Sequence, residues 1–213
     1  LLRVRPKVIE NCKMESLQKN SRFGEVIESS IEILKGQCHT LYNCPPLGSL
    51  VRIGDSVFGV INGINTGSID PSRGVIARGQ NLDTEDQIYE DHPQLEQLMR
   101  TIVNISVIGF REGTIVHQYL PPLPPRIHSF IHLCSSNEIR EFMTSVDFLV
   151  LLLRSNDRVI DDVIAATIKQ ALPSFEDPRA FLLNAARYIS SQLPADVSRV
   201  STIIKRLPMD EWL

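Results

Sequence analysis

No stretch of this chain stays apolar for long. The longest such run, Phe148–Leu153, has six residues and is closed by Asp147 and Arg154, whereas a helix needs about twenty to cross a bilayer. Cysteine is scarce too. Cys12, Cys38, Cys44 and Cys134 stand at spacings of 26, 6 and 90 with no CxxC, which excludes a disulfide scaffold and fits a reducing compartment. Positive charge is not in excess, the net being -3, so affinity built chiefly on neutralising phosphates is excluded. Chemical signatures are missing as well. There is no GxxxxGK[ST], and Lys35 precedes Gly36 rather than following a glycine loop, so no phosphate cradle is available. There is no GxSxG, and no cysteine sits in a nucleophile signature. Gly59, Gly63 and Gly67 are evenly spaced, but strand-forming residues interrupt them and no helix start follows; they read as bends, not an anion site. These absences predict a protein that is not an enzyme and carries no cofactor.

What is present is two alphabets in succession. A chain of 213 residues is long enough for one large unit or two small ones. Counted along the sequence, residues 1–20 carry +3, residues 21–127 carry -4 and residues 128–213 carry -2. Only the leading arm is basic, and it reads as a solvated tail or the remnant of a removed targeting segment. From Arg22 onward short β-branched runs alternate with single glycines. Arg22 to Ile27, Ile31 to Leu34 and Cys38 to Tyr42 are expected to be extended, the last stopped by Pro45-Pro46. Leu50 to Ile53 and Val57 to Ile61 flank Gly54-Asp55, a hairpin signal. Gly48, Gly59 and Gly63 mark bulges or bends that curl a sheet. Asn62 to Arg73 is expected to be a long polar connector, with Gly74 to Arg78 re-entering as a strand. Thr84 with Gln87 forms a capping box for a helix, and Pro93 opens a second through Arg100. Ile102 to Phe110 is the strongest strand, turned by Glu112-Gly113 into Thr114 to Tyr119.

Leu120 to Arg126 holds four prolines in seven residues. It reads as a rigid spacer, the alternative being a ligand for proline-binding modules. Ile127 to Leu133 is extended, and the pattern then turns helical. Ser135 with Glu138 caps one helix; Val146 to Arg154 and Asp157 to Leu172 give two more; Asp177-Pro178 and Asp196 start the last two. The expected architecture is α+β: a basic arm over 1–20, a small antiparallel β-barrel over 21–119 with a helical insertion at about 84–100, a connector over 120–133, and a helical bundle over 134–213.

Candidate sites are few. His117, His128 and His132 offer three imidazoles for a metal if their strands lie side by side, the alternative being ordinary hydrogen-bonded histidines. Cys38, His39 and Cys44 would need a fourth ligand. Asp157, Asp161 and Asp162 read as an exposed helix face rather than an acid/base pair. The connector holds the candidates for a partner's surface: Asn62, Asn65, Ser68, Asp70 and Arg73, with Arg78 beyond it. Three functional classes follow: an adaptor or assembly subunit, a single-stranded nucleic-acid binder using the barrel, and a metal-dependent enzyme using the histidines. The nucleic-acid class needs a basic groove with aromatic platforms. The barrel segment is acidic, and its aromatics are limited to Phe23, Tyr42, Phe58, Tyr89, Phe110 and Tyr119.

The runs PPLGSLVRIGD and VFGVINGINTGSIDPSRGVIARG, then DTEDQIYEDHPQLEQLMRT, QYLPPLPPRIHSFIHLC and DFLVLLL, are similar to the stand-alone HAS-barrel proteins of cyanobacteria and plastids. TGSIDPSR and QYLPPLPPR carry the resemblance most specifically, and it spans residues 21–207. HerA-type DNA-translocating ATPases and ATP synthases carry this barrel ahead of a motor domain. The resemblance implies a docking barrel used in assembly, commonly at an end of an ATPase ring. It also implies a plastid setting, stromal or thylakoid-associated, or else cyanobacterial cytoplasm. The motor domain is missing here, so neither ATP hydrolysis nor DNA translocation carries over. Self-association stays open.

Overall fold

The computed structural model describes residues 22–70, 72, 74–155, 157 and 159–209; the basic arm at 1–20 lies outside them. The chain is mixed α+β. Seven strands, β1 (Arg22–Ser29), β2 (Ile33–Cys38), β3 (Leu50–Ile53), β4 (Val57–Ser68), β5 (Met99–Glu112), β6 (Ile115–His117) and β7 (Phe130–Leu133), form an antiparallel sheet. Their order is β2-β1-β7-β3-β4-β5-β6, and β2 pairs with β5 in addition.

The two-residue period of the strands sorts side chains into two cores. Val26, Leu34, Val51, Ile61, Val103, Ile105 and Ile131 pack together on one side of the sheet. Leu50, Phe58, Val60 and Ile108 join the helices on the other. The ladder between β4 and β5 shifts register at Phe58/Gly59 and again at Ile61/Gly63, where glycine lets the strand bend.

Between β4 and β5 lie α1 (Glu85–Asp91) and the single turn α2 (Leu95–Leu98). The C-terminal part is helical: α3 (Ser136–Phe142), α4 (Leu149–Leu153), α5 (Ile160–Ala171), α6 (Pro178–Gln192) and α7 (Val197–Arg206). Their starts follow local chemistry. Ser135 accepts from the Glu138 amide and Glu138 reaches back to the Ser135 amide. Asp177 caps α6 ahead of Pro178, and Asp196 caps α7. α5 places Ile160, Val163, Ile164, Ile168 and Ala171 in the core, and ion pairs from Arg199 to Asp161 at 2.9 Å and from Arg206 to Asp162 at 2.7 Å tie α7 to it.

Four segments differ from their expected form. Asn62 to Ser68 is not a connector: β4 continues through it, paired with Asn104 to Met99 of β5. Among the described residues this half of β4 has β5 alone beside it, because β3 pairs only with Val57 to Val60. Its polar residues mark an exposed edge rather than a loop. Gly74 to Arg78 is exposed and irregular, and none of the described strands lies beside it. Cys38 to Tyr42 turns instead of extending, with Tyr42 at φ 61 and the Asn43 amide donating to the Thr40 carbonyl at 3.3 Å. The extended piece after the prolines returns to the sheet's interior, β7 lying between β1 and β3.

Candidate functional site

β2 accompanies β5 only as far as Ile102, so the last rungs of the outer β4 ladder, Thr66 to Ser68 with Thr101 to Met99, stand as a two-stranded arm, and the segment between the strands folds back over its end. The Ile69 amide donates to the Leu98 carbonyl at 2.9 Å, closing the segment onto α2. Thr101 is buried and central: its hydroxyl hydrogen-bonds Thr66 at 2.9 Å and accepts from the Tyr42 amide at 3.0 Å. The Tyr42 and Tyr89 hydroxyls meet at 2.7 Å, their rings edge to face at 6.2 Å. That contact holds α1 against the turn after β2. It also pushes the Tyr89 phenol up to about 12, chiefly through the Tyr42 hydroxyl and then through burial.

A recess of about 530 Å³ opens at the tip of the arm, lined by Ser68 to Asp70, Gly74 to Ile76, Arg78, Leu95 and Gln97 to Met99. Its apolar lining is conspicuous: Ile69 is 46% exposed, Val75 63%, Ile76 73% and Leu98 53%. Large side chains left in water this way mark a contact surface when they cluster. The β4–β5 connection is acidic beyond Arg78, which lines the recess: Asp83, Glu85, Asp86, Glu90, Asp91 and Glu96 are all exposed, and no lysine or arginine occurs between residues 79 and 99.

Of the sequence-predicted partner residues, Ser68, Asp70 and Arg78 line this recess together. Asp70 shapes the loop itself, its carboxylate accepting from the Ser72 amide at 3.0 Å and the Ser72 hydroxyl at 2.6 Å. The Ser72 bonds hold that carboxyl below its ordinary value. Asn65 is exposed farther along β4. Asn62 turns into the sheet, where its Nδ2 donates to Ser106 Oγ at 2.8 Å while Oδ1 is buried without a hydrogen-bond partner. Arg73 lies outside the described residues. Sequence reading missed Val75, Ile76 and Leu98, assigning the first two to a strand and the third to a helix. The available signal was an apolar Val75-Ile76 pair stranded among Gly, Asn, Ser and Asp.

The histidines do not converge. His117 stacks near Phe110 and Tyr119, with ring centroids 4.9 and 5.1 Å away. His128 takes φ 66 and lies before β7 begins, so the alternation expected to align it with His132 is broken; its Nδ1 is 3.2 Å from Glu25. His132 faces Arg22 and Arg52 across the ladder, and burial, then Arg52 and Arg22, lowers its basicity. His39 packs edge-on toward Phe130. Asp161 and Asp162 serve the α5–α7 ion pairs, and Asp157 accepts from the Val159 amide. Among the described residues no three His, Cys, Asp or Glu side chains are grouped to hold a metal, and no helix is long and apolar enough to cross a membrane.

A second, more open hollow of about 570 Å³ lies on the helical part, between Arg140, Thr144, Phe175 and Asn184. It has neither an apolar cluster of exposed residues nor a rim of one charge. No family model matches the chain, and no curated protein matches it.

Proposed function

We propose that this chain is a non-enzymatic docking subunit that joins a larger protein assembly through the arm built from β4, β5 and the helices between them. The carrying observation is an apolar recess with Val75 and Ile76 exposed in its lining, set in a β4–β5 connection that also carries six exposed carboxylates between residues 83 and 96. A partner segment presenting an apolar side chain together with lysines or arginines complements both features: the recess supplies burial and the acidic connection supplies steering. The pairing of β2 with β5 supports taking the circuit β2-β1-β7-β3-β4-β5 as a small barrel of the HAS type, backed by a helical bundle. The resemblance points to an ATPase ring as the assembly and to a plastid as its place. The nucleic-acid reading finds less support, because Lys35, Arg52 and Arg111 on the sheet are engaged by Glu28, Glu138 and Glu141.

The test compares tagged wild-type chain with a Val75→Asp/Ile76→Asp variant, purified side by side from the native compartment. Wild type is expected to bring down a defined protein in stoichiometric amount, and the variant to lose at least about nine-tenths of it while keeping its circular dichroism. Neutralising Asp86, Glu90 and Asp91 of α1 should flatten the salt dependence of capture, since screening acts on those exposed charges. A wild-type chain that purifies as a lone monomer, or equal capture by the variant, sinks the reading.

A further inference from the structure

The outer half of β4 leaves one row of backbone groups facing away from the sheet, and two hydrogen bonds fix which residues own them. In an antiparallel ladder, residues that exchange bonds with one neighbour alternate with residues that point the other way. At one end the Ile69 amide donates to the Leu98 carbonyl at 2.9 Å; at the other the Val107 amide donates to the Glu32 carbonyl at 2.8 Å, on the β2 side of β5. Both set the same phase. Even-numbered residues of β5 bond to β4, so Gly63, Asn65 and Gly67 bond back to them, and Ile64, Thr66 and Ser68 direct their N–H and C=O groups outward. Among the described residues no strand lies against that side of the outer half and no backbone group bonds to those three from it. Ile64 is 42% exposed. The edge also lacks the usual safeguards: residues 61–69, INGINTGSI, hold neither proline nor charge, whereas native edges are normally blunted by lysine, proline or a covering segment.

We propose that this edge receives an extended segment of the partner protein as an added antiparallel strand, its main chain bonding to Ile64, Thr66 and Ser68. The inference rests on the docking reading and specifies how the partner is held. Two features select the occupant. Ser68 ends the edge and also lines the apolar recess, so a strand seated on β4 runs on towards Ile69, Val75 and Ile76, where an apolar side chain near its end is buried. The second feature is charge. The hydrogen-bonded series Tyr89, Tyr42, Thr101, Thr66 ties α1 to the edge strand, and the connection that holds α1 carries six exposed carboxylates between residues 83 and 96. With the edge itself neutral, these acids favour a strand in which lysine or arginine alternates with β-branched residues over a second copy of this chain, whose net charge is -3. Main-chain bonds then give affinity and alternate side chains give specificity, as strand addition does elsewhere.

Amide hydrogen exchange on the full chain tests this, with the peptide acetyl-KVKVKVK-amide as the probe and acetyl-KVKPKVK-amide, of equal charge but interrupted by proline, as the control. In the free chain the Ile64, Thr66 and Ser68 amides should exchange at least about a hundredfold faster than those of Asn65 and Gly67, which β5 holds; excess probe should slow the three at least about tenfold, and the control should not. Unchanged exchange, or equal slowing by the control, overturns the proposal. So does protection without peptide, whether it grows with chain concentration, which would seat a second copy on the edge, or vanishes on deleting residues 1–20, which would seat the chain's own arm there. A second measurement separates this inference from the docking reading. Ile64→Pro removes one outward N–H and none that β5 uses, so it should lose the partner in the capture experiment as fully as Val75→Asp/Ile76→Asp does while keeping its circular dichroism. Wild-type capture by the folded proline variant, with the double variant still deficient, would end strand addition and leave docking in place. A wild-type chain that captures nothing would end docking, and the exchange measurement, which needs no variant to fold, still decides whether the edge takes a strand.

Discussion

Gly48 and Gly54 both hold positive φ, at 81 and 57, but only Gly48 is crowded: a Cβ there would meet the backbone of Ala166 and Thr167 at 2.5 Å, whereas nothing lies within 4 Å of one at Gly54. The pair therefore separates backbone preference from close packing. Gly54→Ala should cost only the left-handed penalty, about 1–2 kcal/mol. Gly48→Ala adds a clash with α5 and should cost about 2–4 kcal/mol, read as the shift of the urea midpoint at constant slope. Equal losses at the two sites would show that α5 yields to the added methyl. Cys44 offers a second residue-level measurement. Its thiol is held at about 7 by the Cys38 hydrogen bond, so its alkylation by iodoacetamide should rise with pH and level off above about 8, well before an ordinary thiol does. Cys134 is raised well above the usual range by burial and should stay unlabelled throughout; a Cys44 midpoint near 8.5 would contradict the assignment.

At the scale of elements, the joint between β3 and α3 rests on one pair. Arg52 Nε donates to Glu138 Oε1 at 2.8 Å, with side chains 22% and 24% exposed, and its Nη1 donates to the Gly54 carbonyl. Burial pushes the Glu138 carboxyl up, but the Ser135 amide and hydroxyl and Arg52 outweigh it, and the net direction is down. A carboxylate lowered on folding adds stability above its unfolded value, near 4.3, and that stability is lost as pH falls through the folded value. Glu138→Gln should therefore cost about 1–3 kcal/mol at neutral pH and flatten the acid limb of a Tm-against-pH curve. An unchanged acid limb would assign the acid sensitivity to other groups. The same element explains which parts of the fold were legible. Thr84, Ser135, Asp177 and Asp196 announce their helices because a cap is a local interaction, settled within four residues of chain. The outer half of β4 was illegible because its polar residues face water on an edge, and only the distant β5 reveals that they pair. The recess was half legible: Ser68, Asp70 and Arg78 were marked by their loop composition, but Leu98 joins them only through the fold-back at Ile69.

At the scale of the whole molecule, the question is whether the strands and the helices hold themselves up separately. One face of the sheet contributes Leu50, Phe58, Val60 and Ile108 to the cluster that also contains Phe142, Phe148, Leu149, Val163 and Ile164. Phe58 and Phe142 lie 4.8 Å apart between ring centroids. Gln118, just after β6, clasps the helices directly: its Nε2 donates to the Phe142 and Ser145 carbonyls and its Oε1 accepts from the Phe148 amide. Removing residues 134–209 would thus leave the sheet's hydrogen bonds intact while exposing a contiguous apolar face, a state that soluble chains avoid. A piece spanning residues 22–133 is accordingly expected to aggregate or to bind hydrophobic dye, even though it contains every described strand. In the intact chain, helix melting followed by circular dichroism and hydrogen exchange at Val103, Ile105 and Val107 of β5 should report one transition at the same urea concentration. A soluble, cooperatively folding 22–133 piece, or two separated transitions, would instead mean that the face under the helices tolerates water and that the shared cluster is a docking contact between independently stable halves.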